Sequence, residues 1–447
     1  MKSFKEPSLE MATRAVKRAL ANGFDEAIAV VRVSRSTMVK LANSQVSISQ
    51  GWEGFQVEVY LAKGKRVAIA GARLGSPSEV ERIVNESRRY IESIGESRLY
   101  APLPQPSGRP LAGLVNGATL RYVEEAPRLA EEMMSGAVEY GAERVAGMVS
   151  AGLYGRAVVG SNGAELYEEK TRVEAYLRAF RGEFSGHWAY GSRRADPKRL
   201  REVGAKAATY ASMCRTSVSV EPGRYRAVLS PLVVGNLMEY VADAASAFSV
   251  LTGFSMFMKR RPGEKVASDA LTLIDDPHHE ELPGSTGFDD EGVATLRKAI
   301  IERGVFKSLL HNSKTAALMG GSSTGNAGLI TPHPWNLVVQ PGSLREEEIF
   351  RELRRGLFVL NNWYTRLHNY IEGEFSTVTR DALMYVENGE VVGCVHRMRI
   401  ADRFPRLLGR IAGLTREVYD VEWWEVRTPT RTPFILVDEA VFTKPTV

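Results

Sequence analysis

Cysteine is scarce in this chain, which has only Cys214 and Cys394 among its 447 residues. The two lie far apart in the sequence, which therefore predicts neither a disulfide framework nor a Cys-x-x-Cys metal site. Long apolar runs are missing as well: the longest uncharged apolar stretch, 244–258, is too short to cross a bilayer and contains Ser, Thr and Gly. Residues 1–7 hold no apolar signal-peptide core, so we expect a soluble cytoplasmic protein without a membrane partner.

No charge of one sign dominates the sequence. Lys and Arg number 58 against 53 Asp and Glu, which gives a net charge of +5, and the charges are interspersed. Basic clusters such as 259–261 are short. This pattern is typical of solvated faces, and we do not expect nucleic acid as a partner.

The length and the positions of proline and glycine predict three domains. A chain of 447 residues exceeds what one hydrophobic core usually holds. Clustered prolines mark a linker at 100–110, and the Glu-Pro-Gly at 221–223 marks a second boundary. We predict an α+β fold with an N-terminal mixed α/β domain (1–105), a central α/β domain (106–221) and a β-rich C-terminal domain (222–447) whose sheet is mostly antiparallel.

Residue periodicity predicts the individual elements. Apolar residues at helical spacing indicate a helix from Leu9 to Leu20, which Gly23 ends. Ser76 and Pro77 predict the start of a second helix. Strands are predicted at 25–33, 38–48, 55–62, 67–70, 146–160, 171–180 and 225–229, and helices at 126–140, from 196 and at 231–247.

Four short motifs occur in order in the C-terminal domain. They are Val-Leu-Ser-Pro at 228–231, Phe-Asp-Asp-Glu-Gly-Val at 288–293, Ser-Thr-Gly-Asn-Ala-Gly at 323–328 and Gly-Glu-Phe-Ser at 373–376. Each motif alone is a weak signal, whereas the ordered set is a strong one. With this order and spacing, the chain resembles the TldD/PmbA peptidase family. The resemblance extends over nearly the whole chain.

The metal motif of that family is degenerate in this sequence. Active members resemble one another in a His-Glu-x-x-x-His helix that follows the Ser-Pro strand end, and a cysteine near the C-terminus supplies a third zinc ligand. Here Met238 stands at the first histidine, Glu239 at the glutamate and Asp243 at the second histidine. No cysteine follows Cys394. The resemblance implies that these positions are remnants of a catalytic site.

The remaining donors are too few for a catalytic zinc ion, which takes about three protein ligands and a water molecule. The Met238 thioether suits soft copper rather than zinc, and Asp243 offers one carboxylate. By resemblance, Glu239 would be a general base and not a ligand. Water without a metal keeps a high pKa and is no nucleophile at neutral pH. We predict no catalytic residue, no metal and no other cofactor in this chain.

Such a degenerate motif is similar to that of the PmbA, or TldE, branch of the family. By resemblance, that branch forms a heterodimer with a zinc-bearing TldD-type subunit, and the complex degrades or processes unfolded peptides. We therefore expect a non-catalytic subunit whose partner carries the zinc. Two alternatives stay open: a homodimeric peptide-binding protein without protease activity, and a DNA gyrase-associated modulator, a label given to relatives.

The glycine-rich segment 320–328 is a candidate substrate site. By resemblance, peptides are held extended by strand addition, which needs backbone donors and acceptors. A structural turn cluster is an equally good interpretation of this segment. The candidate substrate-binding residues are Gly321, Ser323, Thr324, Gly325 and Asn326.

Other polar clusters are weaker candidates. Adjacent histidines in the acidic segment 275–281 would point opposite ways, which favours a solvated loop over a metal site. Segment 289–291 lacks the spacing of a calcium loop and suggests a structural turn. Glu239 and Asp243 lie four residues apart on one helix face and repel each other, so we expect a basic residue of this chain or of a partner to neutralise them.

Overall fold

A computed structural model describes residues 3–74 and 79–444 of the chain. Its first half alternates helices with long strands. In chain order the elements are α1 (Lys5–Ala21), β1 (Glu26–Ala42), β2 (Gln45–Lys63), β3 (Arg66–Leu74), α2 (Glu79–Ile91), α3 (Gly117–Tyr122), α4 (Ala126–Glu139), β4 (Arg144–Gly160), β5 (Glu165–Arg181), β6 (Phe184–Ser192) and α5 (Pro197–Met213).

These strands form one six-stranded antiparallel sheet in the order β3-β2-β1-β4-β5-β6. Strands β1 and β4 pair from Ile28 opposite Gly160 to Leu41 opposite Gly147. The sheet therefore continues across the segment in which we predicted the boundary between the first two domains.

Side-chain alternation gives this sheet two different faces. On one face, Ala29 and Val31 of β1 pack against α1 and α2, while α4 and α5 cover the half formed by β4 and β5. The two helices α4 and α5 approach closely at Gly204. A Cβ at this position would collide with the carbonyl oxygen of Met133, so only glycine permits this approach. The opposite face, which includes Arg32, is directed towards the C-terminal half of the chain.

The C-terminal half contains mostly short strands. Its elements are β7 (Ser217–Val218), β8 (Gly223–Leu229), α6 (Pro231–Ala244), α7 (Ala247–Leu251), β9 (Leu273–Asp275), β10 (Lys298–Glu302), β11 (Val305–Phe306), α8 (Ser313–Met319), β12 (Leu337–Val339), a short 3-10 helix (Glu346–Glu348), α9 (Ile349–Leu353), β13 (Gly356–Asn369), β14 (Glu374–Glu387), β15 (Glu390–Val395), β16 (Arg399–Arg403), α10 (Phe404–Gly409), β17 (Ile411–Leu414), β18 (Tyr419–Trp423), β19 (Val426–Thr432) and β20 (Ile435–Thr443).

Two sheets organise this half. One has the order β11-β10-β9-β12-β19-β18, and the other has the order β13-β8-β20-β16-β14-β15-β7. Strand β13 also pairs with β14, which closes five strands of the second sheet into a ring. Helix α6 contacts β19, β18 and β12 of the first sheet and β13 and β8 of the second, so it lies between them. The predicted α+β class with mostly antiparallel sheets is confirmed.

Several predicted elements differ from the structure. The strand predicted at 38–48 is wrong, because β1 runs on to Ala42 and a tight turn at Asn43 and Ser44, with φ of 49° and 61°, reverses the chain into β2. The second helix is confirmed from Glu79 onwards, whereas its predicted start at 76–77 lies outside the described residues. Nowhere in the described ranges is a helix both long and apolar enough to cross a membrane.

The cysteine prediction is also wrong. Cys214, at the end of α5, and Cys394, in β15, form a disulfide with a Cα–Cα distance of 5.4 Å. Strand β7 pairs with β15 so that Ser217 lies opposite Cys394. This pairing brings together two residues that are 180 positions apart, a separation that says nothing about their distance in the fold.

Candidate functional site

The helix that carries the degenerate motif begins as its sequence predicts. The Ser230 hydroxyl accepts a hydrogen bond from the backbone N–H of Leu232 at 3.2 Å, and Pro231 occupies the first turn, where no backbone N–H is needed. The helix ends at Ala244 instead of Ala247. Its position between two sheets buries most of its side chains and fixes the direction of each motif residue.

Met238 is part of the apolar core of the C-terminal half. Its side chain is 3% exposed and packs with Leu407, Leu408 and Ile411 around a small apolar cavity. Aliphatic side chains therefore surround the position of the family's first histidine, and they offer a cation no further donor.

Glu239 is buried and bound by an arginine. The Arg427 backbone N–H donates to one carboxylate oxygen at 2.9 Å, and its Nε donates to the other at 3.0 Å. Its Nη2 lies 3.0 Å from that second oxygen and completes the ion pair. Arg427 lies on β19 of the same chain, so the expected basic residue is present beside Glu239. Both oxygens of the motif glutamate are already engaged.

Asp243 lies in the last turn of the same helix and is exposed. Although the side chain reaches solvent, the protein packed around its carboxyl group reduces its hydration. This loss of hydration and the charge of Glu239 raise the pKa of Asp243 to about 6, while Arg427 acts in the opposite direction. Arg427 therefore compensates Glu239 fully but Asp243 only in part.

These residues do not fit a zinc ion. A zinc ion at Glu239 would face the Arg427 guanidinium, and its other ligands would be a single carboxylate and a thioether enclosed by aliphatic groups. In the part of the chain that the structure describes, no three His, Cys, Asp or Glu side chains are grouped so as to hold a metal ion.

The glycine-rich loop folds back on its own chain. Asn326 is buried and donates to Asp275 at 2.6 Å, and Thr324 donates to Asn326 at 2.7 Å. The carbonyl oxygen of Gly325 accepts from the Trp335 indole at 2.8 Å. Among the candidate residues, Gly321 is exposed and Ser323 is half-buried. This arrangement favours the structural-turn interpretation of the segment.

The acidic segments are structural as well. Asp290 pairs with Arg32 of β1 at 2.6 Å and with Arg156 of β4 at 3.0 Å, which ties the C-terminal half to the first sheet. The prediction of a solvated loop at 275–281 is wrong for its first residues. Asp275 and Asp276 are buried there, and backbone and side-chain donors form hydrogen bonds with their carboxylates.

A cavity of about 930 Å³ lies on the polar face of the first sheet. Side chains of β1 to β5 form its floor, and segments 283–284, 333–335 and 427–429 form its opposite wall. Arg427 belongs to that wall and also binds Glu239. The degenerate motif therefore borders the cavity through Arg427.

Basic side chains outnumber acidic ones in this cavity. Burial lowers the pKa of Lys170 to about 8 and raises the pKa of Glu422 to about 7, because both groups lose hydration. Glu422 pairs with Arg172. The charged lining residues are Arg32, Arg73, Arg156, Lys170, Arg172 and Arg427 against Glu53, Glu168 and Glu422.

The sequence interpretation missed this cavity. Its signal was the alternation in β1, where polar Arg32, Ser34 and Ser36 alternate with the apolar Val31 and Val33. Such alternation indicates one polar and one apolar face, but it does not reveal whether the polar face meets bulk water or an enclosed space.

Comparison with known proteins gives matches to both family models and individual relatives. The family model of the PmbA/TldA metallopeptidase central domain matches residues 120–215, and that of the PmbA/TldA metallopeptidase C-terminal domain matches 222–444. A metalloprotease of Methanocaldococcus jannaschii is 27% identical over 58% of this chain and 59% of its own length. Metalloprotease PmbA of Escherichia coli O157:H7 is 30% identical over 49% of this chain and 48% of its own length. The matched region thus spans about half the length of these curated relatives.

The fold has a counterpart among solved structures. TldE from Thermococcus kodakarensis superposes with a TM-score of 0.83 at 21% identity, over 97% of this chain and 100% of that chain. This likeness shows the fold. The two family models together cover most of the sequence and identify the family. The chain belongs to the PmbA/TldD family of metallopeptidase-like proteins.

Proposed function

We propose that this chain is the non-catalytic, TldE/PmbA-type subunit of a zinc metallopeptidase complex that degrades or processes unfolded peptides. One observation carries the proposal: Arg427 occupies both oxygens of the motif glutamate. A guanidinium repels a metal cation, and a carboxylate paired with it is a poor general base. Hydrolysis then depends on a TldD-type partner that supplies the zinc, the base and the water.

The cavity supports a contribution of this subunit to peptide binding. Its volume of about 930 Å³ is at the upper end of the range that is usual for ligand sites. It combines apolar side chains such as Trp335 with polar groups of the sheet, a mixture that suits peptides of varied sequence. In the complex, the cavity would be part of a chamber that holds substrate.

Metal analysis and peptidase assays test the proposal. The purified chain should contain no stoichiometric zinc and cleave no unfolded peptide. Mixed with a TldD-type protein that carries the intact motif, it should form a heterodimer that cleaves peptides and loses activity with a chelator. About one tightly bound zinc ion per chain, or chelator-sensitive cleavage by the chain alone, would contradict the proposal.

Light scattering separates the proposal from the homodimeric alternative. A heterodimer that forms at the expense of homodimers is the expected result. A stable homodimer that ignores the TldD-type protein would favour a stand-alone peptide-binding protein. For the gyrase-associated alternative, DNA binding that weakens steeply with salt would be required, because phosphate contacts release counterions.

A further inference from the structure

The cavity floor consists of rows of side chains that cross neighbouring strands. In the middle row, Ser34 of β1 lies opposite both Gly54 of β2 and Tyr154 of β4, and Tyr154 lies opposite Lys170 of β5. All four residues line the cavity. Because adjacent strands are about 4.8 Å apart, the row from Ser34 to Lys170 is about 10 Å wide. This width matches a small ligand group.

The cations of the two flanking rows are already neutralised. Arg32 pairs with Glu58 and Asp290 on one side. Arg172 pairs with Glu422 on the other. These arginines shape the cavity, but they have little positive charge left for a ligand.

The donors of the middle row, by contrast, are mostly unused. Lys170 Nζ donates to the carbonyl oxygen of Ser285 at 3.1 Å and has no carboxylate within salt-bridge distance in the described ranges. The hydroxyls of Ser34 and Tyr154 form no hydrogen bond with protein atoms that the structure describes. Three adjacent donors are thus available to an acceptor that enters the cavity.

The surroundings of Lys170 make an uncompensated ammonium costly. Protein surrounds the group, which lowers its pKa to about 8, and the positive charges of Arg156 and Arg172 act in the same direction. Glu168 and Glu422 oppose this shift only in part. A bound anion would restore the missing counter-charge.

We propose that Lys170, Tyr154 and Ser34 bind the C-terminal carboxylate of a peptide held in the cavity. This inference rests on the proposed function, which supplies the peptide as ligand class. A carboxylate carries one negative charge and accepts several hydrogen bonds, which matches one ammonium beside two hydroxyls. A phosphate dianion fits less well, because Arg73, the other lining cation without an ion pair in the described ranges, is exposed on edge strand β3.

Apolar side chains near this row suit the rest of a peptide. Trp52 of β2 and Trp335 of the opposite wall line the same cavity, as do Pro334 and Pro429. They offer contact area without demanding particular side-chain chemistry. The subunit would then select peptide ends rather than sequences, which suits a complex that degrades unfolded chains.

Paired peptides test the assignment. The probe is an unstructured octapeptide with an N-terminal fluorophore, made as the free acid and as the C-terminal amide, and its binding to the full chain is followed by fluorescence anisotropy. We expect the acid to bind about tenfold more tightly than the amide, the effect of one charge-assisted hydrogen bond. Equal affinity of the two peptides would overturn the proposal.

Variants assign the effect to the row. K170Q should bind acid and amide equally, at the level of the amide. K40Q is the matched control: Lys40 is exposed on the same sheet face of β1, has no salt-bridge partner among residues 3–74 and 79–444, and does not line the cavity. It should keep the full preference, and a K170Q protein that also keeps it would overturn the proposal.

A second variant and a competition experiment complete the test. Y154F removes only a hydroxyl, so it tests the row even if K170Q folds poorly, and it should reduce the preference about threefold. Inorganic phosphate that displaced the acid peptide at micromolar concentration would overturn the carboxylate assignment.

The failure of this inference can be told apart from the failure of the proposed function. If the chain contains no zinc and shows no preference for the acid peptide, only the carboxylate site is refuted. If the chain contains zinc and prefers the acid peptide, only the proposed function is refuted.

Discussion

Glu239 is a buried carboxylate, and such a group needs a counter-charge because its removal from water is costly. Arg427 provides that charge together with a backbone N–H, so the buried carboxylate is compensated within the chain itself. Met238, its neighbour, has become a core residue. At the scale of single residues, Met238 and Glu239 thus both make close contacts with the protein's own side chains.

A double-mutant cycle tests the role of Arg427. Arg427→Ala should lower the free energy of unfolding by about 1–3 kcal/mol at pH 7, because Glu239 stays buried without its guanidinium partner. The same substitution in a Glu239→Gln background should cost less, since no charge remains to be compensated. Urea denaturation at constant ionic strength measures both values. Equal losses in the two backgrounds would contradict this role.

Asp243 predicts a pH dependence of stability. Its pKa is raised from 3.8 to about 6, so the folded protein binds its proton more tightly than the unfolded chain does. The stability that this proton contributes is fully present below pH 3.8 and is lost as the pH rises through about 6. Asp243→Asn should therefore match the parent protein near pH 4 and melt at a higher temperature at pH 8. Melting curves across this range check the sign, and a lower melting temperature at pH 8 would refute it.

The loop 289–291 shows how one element connects several others. Asp290 ties it to β1 and β4, and Glu291 accepts hydrogen bonds from Ser313 at the start of α8 and pairs with buried Lys314 at 2.5 Å. The sequence predicted a structural turn here, and the contacts confirm it. The partners themselves were unpredictable, because they come from strands far away in the sequence.

Substitution in this loop should be costly. Glu291→Gln leaves the buried Lys314 ammonium without a counter-charge and should lower the free energy of unfolding by about 3–5 kcal/mol. Asp269→Asn is the control, since it removes an exposed ion pair with Lys265 and should leave stability essentially unchanged. Chemical denaturation measures both. A similar effect of the two substitutions would show that the loop is not held by this buried pair.

At the scale of the whole molecule, the two halves are joined in several ways. Asp290 contacts the first sheet, and the Cys214–Cys394 disulfide links α5 to β15. The cavity lies where residues of both halves meet. These contacts hold the floor and the opposite wall of the cavity next to each other.

The disulfide should stabilise this arrangement. Replacing both cysteines by serine should lower the free energy of unfolding by about 2–4 kcal/mol, because the unfolded chain gains freedom. Thermal unfolding with and without reductant measures the effect. As a control, the melting temperature of the double serine variant should not change with reductant. If the melting temperature of the oxidised parent protein does not change either, the disulfide is not formed.

The sequence by itself determined the fold class, most helices and strands, the family resemblance and the loss of the metal-ligand residue types, because these depend on local periodicity and on residue identity. Only the tertiary structure decided the rest: the hairpin at Asn43 and Ser44, the disulfide, Arg427 as the partner of Glu239, and the cavity row that ends in Lys170. Each of these depends on contacts between distant segments or on a backbone conformation that residue type alone does not dictate. Strand pairing, not sequence proximity, brings their parts together.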